Sequence, residues 1–280
     1  MTKSLSWWDL TTAEFAARDL SATVAILPVG AVEQHGPHLP VRVDAAIDAG
    51  ILAAALERLP AEADVLVLPA MPFGKSDEHT AFPGTLTLSG ETLAAVWFEL
   101  AASVVRAGCR KILFFNAHGG QMALMDIVCR RIRIELGALA IACSWFRAAA
   151  LDDLFSEAEL THGIHGGELE TSVMLALHPD LVAMDKAEDF VPLTVEIERS
   201  GSSLTAEGLV GFGWQAQDLH PAGVAGNAAA ATAQKGREVI DRAAAALVRL
   251  IGDAGRFDIA LLTPKTRFSK APRLSKASGA

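Results

Sequence analysis

The chain has no tyrosine in its 280 residues, so no phenol can serve as acid, base or nucleophile. Cysteine is scarce: Cys109, Cys129 and Cys143 form an odd set without C-x-x-C spacing. That argues against a disulfide framework or a zinc knuckle and for buried, reduced thiols. Basic residues are outnumbered, with 24 Lys and Arg against 33 Asp and Glu. The concentrated positive charge that nucleic acid or an anionic membrane requires is therefore missing, and a small-molecule substrate is the expected partner. No run of about 18 uncharged apolar residues occurs. The stretch MTKSLSWWDLTTAEFAARDL also lacks the basic and apolar regions of a secretory leader, so a cytoplasmic location is expected. G-x-G-x-x-G, G-x-x-x-x-G-K-[ST] and G-x-S-x-G are absent too, which leaves dinucleotide, P-loop and serine-hydrolase chemistry without support.

What is present is apolar and regularly punctuated. Hydrophobic residues make up 51% of the chain, enough to bury a substantial core. Apolar runs bounded by turn residues predict strands over 23–29, 64–70, 111–116 and 138–145. Helical spacing predicts helices over 44–59, 91–108, 121–137, 167–178 and 228–251, with a Gly-rich, poorly periodic stretch at about 186–227. Strand and helix alternate, which implies right-handed crossovers and an α/β fold with a mostly parallel sheet between two helical layers. A single domain over 1–263 is expected, followed by the tail 264–280, which carries five basic residues and no acid. That tail reads as a solvated end in preference to an arm docking on a neighbouring subunit.

The polar residues fall where such a sheet binds ligands, beyond the carboxyl ends of its strands. The stretch LPVGAVEQHGPHLPVRVDAAIDAG carries Glu33, His35, His38, Asp44 and Asp48. GKSDEH follows the second strand, NAHGG with His118 the third, and HGIHGGELE opens the fourth helix. One loop histidine alone is more often a surface or hydrogen-bonded residue, and Asp44 alone would suit a helix first turn. Three strand ends each supplying histidine within a Gly-rich turn shift the balance to a metal site. Mixed carboxylate and imidazole donors suit Zn, Mn or Fe over Ca or Mg. Glu33, His35, Asp44, His118 and one glutamate from 168–170 suffice for two ions. Glu33 and His35, two apart in extended chain, project to the same side. Trp145 could wall a pocket or simply pack.

In order and spacing, LPVGAVEQHGPHLP…D, GKSDEHTAFPGT, NAHGG, HGGELETS and GVAGN…ATAQKG resemble the creatininase family of metal-dependent amidohydrolases, over about 27–236. The resemblance implies a three-layer, Rossmann-like α/β/α fold, two divalent ions per subunit and a homo-oligomer, usually a hexamer. It further implies Glu33, His35, Asp44 (bridging) and His118 as ligands. In creatininase proper a tyrosine and a metal-binding glutamate follow the third-strand histidine, where Gly119 and Gly120 stand here. Glu170 is the first choice for the missing carboxylate and Glu168 the second. The reaction implied is hydrolysis of a C–N bond in a cyclic amide or formamide. His165 and Glu170 are its expected catalytic residues, His165 carrying a proton to the leaving nitrogen, and Ser76, Glu78, His79 and Trp145 meet the substrate. Hydrolysis of a lactone or cyclic ketone, trimming of a modified peptide, and a non-catalytic metal-stabilised binding protein are the alternatives.

Overall fold

The computed structural model describes residues 5–208, 210–263 and 265–268. In chain order its helices and strands are α1 (Thr12–Ala17), β1 (Val24–Val29), α2 (Val43–Leu56), β2 (Val65–Val67), α3 (Gly90–Arg106), β3 (Lys111–Asn116), α4 (Met122–Leu136) and β4 (Leu139–Ser144). There follow α5 (Trp145–Ala148), α6 (Glu157–His162), α7 (Glu168–Leu177), β5 (Asp189–Phe190), α8 (Leu193–Arg199), α9 (Ala216–Leu219), β6 (Gly226–Asn227) and α10 (Ala233–Arg256). Strands β2, β1, β3 and β4 lie side by side in that order, all parallel.

Alternation along each strand builds the two halves of the core. Val24 and Ile26 of β1, with Leu113 and Phe115 of β3, face the layer of α2, α7 and α10. Ala25, Leu27 and Val29, with Ile112 and Phe114, face α3 and α4. Both faces of the sheet are thus covered, as an all-parallel sheet requires. Phe114 and Phe115 are fully buried on opposite faces; each contributes roughly 2–3 kcal/mol by leaving water.

Several predicted boundaries move: the helix expected over 44–59 ends at Leu56, and two other shifts have a clear cause. The second strand was expected to run to residue 70, but the regular ladder stops at Val67. Pro69 has no N–H to donate there, and pairing resumes only as a bridge between Val29 and Met71. The last helix was expected over 228–251 and instead spans Ala233–Arg256. Thr232 is extended, and its hydroxyl accepts from the Lys235 N–H, capping the helix after the Ala-rich run has made a short 3₁₀ turn. The far end continues because Ile251 and Ala254 remain buried. Of the basic tail only 265–268 is described, and these residues are exposed; the rest of that expectation lies outside the described residues. No helix among the described residues is long and apolar enough to cross a membrane.

The strand order places β1 beside β3, with α2 leaving toward one face and α4 toward the other. A crevice opens at the carboxyl ends where such chains diverge.

Candidate metal centre

The crevice is filled by side chains from five segments. Glu33 and His35 come from the turn after β1, Asp44 from the first turn of α2, and His118 from the turn after β3. His165 and Glu170 flank the start of α7, and His79 lies on a 3₁₀ turn after β2. Glu33, His35, Asp44, His79 and His118 are each exposed by 3% or less. The β1 turn doubles back at Gly36, which has φ +74 and whose Cβ would lie 2.1 Å from Val224, so only glycine fits.

The spacings are those of ligands around small ions. His118 Nδ1 is 3.2 Å from Glu33 Oε1 and 3.8 Å from Asp44 Oδ2. His35 Nε2 is 3.6 Å from Asp44 Oδ1 and 3.7 Å from Glu170 Oε2. Asp44 therefore turns one oxygen to each imidazole. Two donor atoms about 2.1 Å from one tetrahedral ion lie about 3.4 Å apart. His165 Nδ1 and His79 Nε2 are both 3.6 Å from Glu33 Oε1.

Backbone partners decide which ring nitrogens are free. His35 Nδ1 faces the Glu33 carbonyl at 3.0 Å, His118 Nε2 the Lys75 carbonyl at 2.7 Å, and His165 Nε2 the Gln34 carbonyl at 2.6 Å. Each of these nitrogens must donate, which leaves His35 Nε2, His118 Nδ1 and His165 Nδ1 as the nitrogens turned toward the acids. His79 is the reverse. The Gln34 oxygen accepts from the Gly36 N–H, and its amide nitrogen donates to the Gly223 carbonyl and to His79 Nδ1. His79 then carries its proton on Nε2 and presents an N–H.

Glu33 Oε2, His35 Nε2 and Asp44 Oδ2 are buried with no hydrogen-bond partner. An unmet buried polar atom costs about 1–3 kcal/mol, more when charged. The protein compensates by shifting protons. Burial works to lower both rings, but Glu33, Asp44 and Glu78 outweigh it at His118 and hold it up at about 10, and Asp44, Glu170 and Glu33 outweigh it at His35 and hold it up at about 9. Burial raises Glu33, and the histidines around it reverse this and hold it well below the usual carboxylate range. Burial pushes Glu170 up to about 7. His79 is pushed down by burial to about 4, and His165 well below its ordinary value, so both rings are neutral.

The two glutamates of α7 separate cleanly. Glu170 reaches His35 while its Oε2 accepts from the Gly166 N–H at 2.7 Å. Glu168 turns away to an ion pair with Lys235. The first-turn N–H groups of α7 are met by Glu159, whose Oε1 accepts from Glu168 N at 2.6 Å and Leu169 N at 3.4 Å, while its Oε2 accepts from Asn227 N of β6 at 3.0 Å. Its place in Ser156-x-x-Glu159 reads in sequence as a capping box of α6, which conceals this reach across the fold.

Gly120 explains how the NAHGG turn is filled. A Cβ there would lie 1.7 Å from Glu78 Oε1, so Glu78 occupies the space a side chain at 120 would need. Glu78 lies 3.6 Å from His118 Nε2 and is paired with Lys75 at 2.8 Å. Ser76 is wholly buried under the same ring, Oγ 3.5 Å from Nε2. Trp145 opens α5 and is 1% exposed. It joins Gly119, Glu170 and Glu207 in lining a cavity of about 220 Å³ beside the cluster. Glu207 carried no signal in the sequence, lying in the Gly-rich stretch with no motif. His38 and Asp48 lie outside the cluster: His38 Nε2 bonds the Gly166 carbonyl and Thr171, and Asp48 is buried on α2 beside a pocket that Leu5 and Trp8 also line.

The family model for creatinine amidohydrolase matches residues 8–251. The chain belongs to the creatininase family. It is 34% identical to a creatinine amidohydrolase of Pseudomonas putida over 211 residues, which are 69% of this chain and 80% of that one. It is also 34% identical to a mycofactocin precursor peptide peptidase of Mycolicibacterium smegmatis over 166 residues, 58% of this chain and 61% of the other. A solved creatininase superposes with TM-score 0.73 at 27% identity, covering 91% of this chain and 100% of that one. Other solved creatininases that match are described as a Zn-Zn type and a Mn form. Creatininase-family membership makes this chain a metal-dependent type of hydrolase by relationship, with the three-layer architecture expected from its sequence.

Proposed function

We propose that this creatininase-family enzyme hydrolyses a C–N bond of a cyclic amide or formamide-type small molecule, using two divalent ions of Zn, Mn or Fe. Glu33 and His118 would hold one ion, His35 and Glu170 the other, with Asp44 shared between them. The observation that carries the reading is the set of buried, unpartnered atoms on Glu33, His35 and Asp44, with the two Asp44 oxygens turned to different imidazoles. Bound there, such ions polarise a carbonyl and make water more acidic. Three carboxylates facing two dications leave the centre close to neutral, which a buried site tolerates.

The chain's own groups do the rest. His165, neutral and held by the Gln34 carbonyl, keeps the Nδ1 lone pair beside Glu33, placed to take a proton and return it to the leaving nitrogen. His79 offers an N–H at the same edge, locked by Gln34. The cavity of about 220 Å³ suits a small ring better than an extended peptide. A homo-oligomer, hexameric by resemblance, belongs to the same proposal. Light scattering tests that part.

For the reaction, purified protein is assayed for bound metal, reconstituted with Zn or Mn, and screened for amine or ammonia release from lactams, cyclic ureides and formamides. Metal near two per chain with release from at least one class is expected. Stoichiometric metal with no release from any class would move the reading to a different ring.

A further inference from the structure

We infer that Gln34 is a positioning residue that fixes the His79 ring as a hydrogen-bond donor, keeping His79 out of the metal coordination and presenting its Nε2–H to the carbonyl oxygen of the substrate. The inference rests on the two-ion reading above and adds the roles of two residues that hold no ion in it.

By position alone His79 could be a ligand. Glu33, His79 and His165 each offer a donor atom, all within 4.8 Å of one another, as do Glu33, His35 and Asp44. What separates the two sets is the proton on the His79 ring, and Gln34 decides where it sits. The Gln34 amide has one orientation only: its Oε1 accepts from the Gly36 N–H at 2.9 Å, and its Nε2 donates to the Gly223 carbonyl at 2.7 Å. Turned over, it would set N–H against N–H and carbonyl against carbonyl. Gly223, with φ +74, lies so close that a Cβ there would be 2.5 Å from Gln34 Oε1, so the amide is packed against bare backbone. The same amide nitrogen lies 2.8 Å from His79 Nδ1. An amide N–H cannot accept, so Nδ1 must, and the ring proton is left on Nε2. A protonated ring nitrogen has no lone pair for a metal.

Gln34 acts on His165 in the opposite sense. Its backbone carbonyl faces His165 Nε2 at 2.6 Å and takes that N–H, which leaves Nδ1 as the acceptor. One residue thus sets a donor and an acceptor side by side, the two ring centres 4.3 Å apart. His79 Nε2 and His165 Nδ1 each lie 3.6 Å from Glu33 Oε1, beyond hydrogen-bond range. Neither has a hydrogen-bond partner, and neither is among the fully enclosed unmet atoms of the site, so each keeps accessible surface in the crevice. Amide hydrolysis calls for both kinds of group: an acceptor that carries the proton to the leaving nitrogen, and a donor facing the oxygen on which negative charge builds.

The test reads the ring nitrogens directly. Zinc-reconstituted full chain carrying ring-labelled ¹⁵N histidine is measured by NMR, with His79 assigned by the resonances lost in His79→Gln. An unprotonated Nδ1 and a protonated Nε2, neither bound to zinc, are expected. In Gln34→Glu the new carboxylate accepts where the amide donated, and the two His79 nitrogens are expected to exchange roles. Should that variant not fold, Gln34→Met removes the donor without adding charge and is expected to give a mixture of both forms. Acetohydroxamate, whose oxygens stand in for that of an amide at the metals, reads the donor. Calorimetry is expected to give about tenfold weaker binding to His79→Ala than to the parent, with part of the loss recovered in His79→Gln, whose amide can donate. A His79 Nε2 that lacks its proton or binds zinc, a proton position unchanged in both Gln34 variants, or hydroxamate affinity unchanged in His79→Ala would each overturn the inference. Metal content is read separately: fewer than two ions per chain would remove the two-ion reading, while the His79 proton, measured also in the metal-free chain, still decides the role of Gln34.

Discussion

At the amino ends of the strands a cavity of about 580 Å³ lies between the ends of α2 and α10, lined by residues such as Leu59, Pro60, Val248 and Gly252. At the carboxyl ends the cavity is about 220 Å³. The larger hollow is chemically quiet. Asp64 on its wall is held by Arg18 at 2.7 Å and by the Thr23 hydroxyl at 2.7 Å, and the buried Lys111 nearby donates to the Gly255 carbonyl. The smaller one adjoins four imidazoles and three carboxylates, among them three atoms that find no partner. What marks a site is therefore not volume but several buried carboxylate and imidazole atoms left unmet together around one point at the carboxyl rim.

Substitutions at the carboxyl rim should break this contrast in a graded way. The largest effect is expected for Asp44→Ala, which removes the group facing both His35 and His118: metal content should fall below one ion per chain, and turnover by more than about 10³-fold. Metal analysis checks the first and steady-state kinetics the second. His165→Ala should retain the metal and lose roughly 10²- to 10⁴-fold in kcat; metal loss instead would make His165 a ligand. Glu170→Gln should lower occupancy by one ion. Glu168→Gln should leave metal content unchanged and cost about 1 kcal/mol or less in a melting experiment, since its partner Lys235 is about one third exposed. The smallest effect belongs to the amino rim, where Arg249→Ala, at an exposed position, should leave metal and kcat within about twofold of the parent.

A pH experiment sharpens the same contrast. In the metal-free protein His35 and His118 have been raised to about 9 and about 10 by the acids around them. Raised folded-state values mean stability fully present below about 6.5, the unfolded value, and lost as pH climbs through 9 to 10. Metal binding must displace those protons, so calorimetry at pH 8 in buffers of different ionisation enthalpy should report about two protons released per chain. Release near zero would mean that these two rings are not ligands.

How much of this was legible in sequence follows from which interactions are local. The strands β1 and β3 were readable because an apolar run buried on both faces needs no distant partner to be recognised, and β4, half-buried at the sheet edge, because its run is apolar and bounded by turns. Glu33, His35, Asp44 and His118 were readable because each sits a few residues from a strand end, so chain position already fixes the rim. The choice of Glu170 over Glu168 depended on α7 having begun, which puts the two on different sides of the helix. Glu159 and Glu207 were not readable. Their partners lie across the fold, and Ser156-x-x-Glu159 even suggests a local role. The stretch 186–227 was likewise opaque: β5, β6, α8 and α9 are too short to show periodicity, and are held by contacts such as the Phe190–Gly226 pairing and the bridge between His165 and Ala225.

The central claim, that unmet atoms at the carboxyl rim mark a two-ion centre sharing Asp44, is tested most directly by anomalous diffraction from crystals grown with zinc. The account predicts two peaks about 3.5 Å apart, one against Glu33 and His118, the other against His35 and Glu170, with Asp44 reaching both. A single peak that leaves Glu170 and His35 apart, peaks held by Glu168, or no peak in the crevice would contradict it.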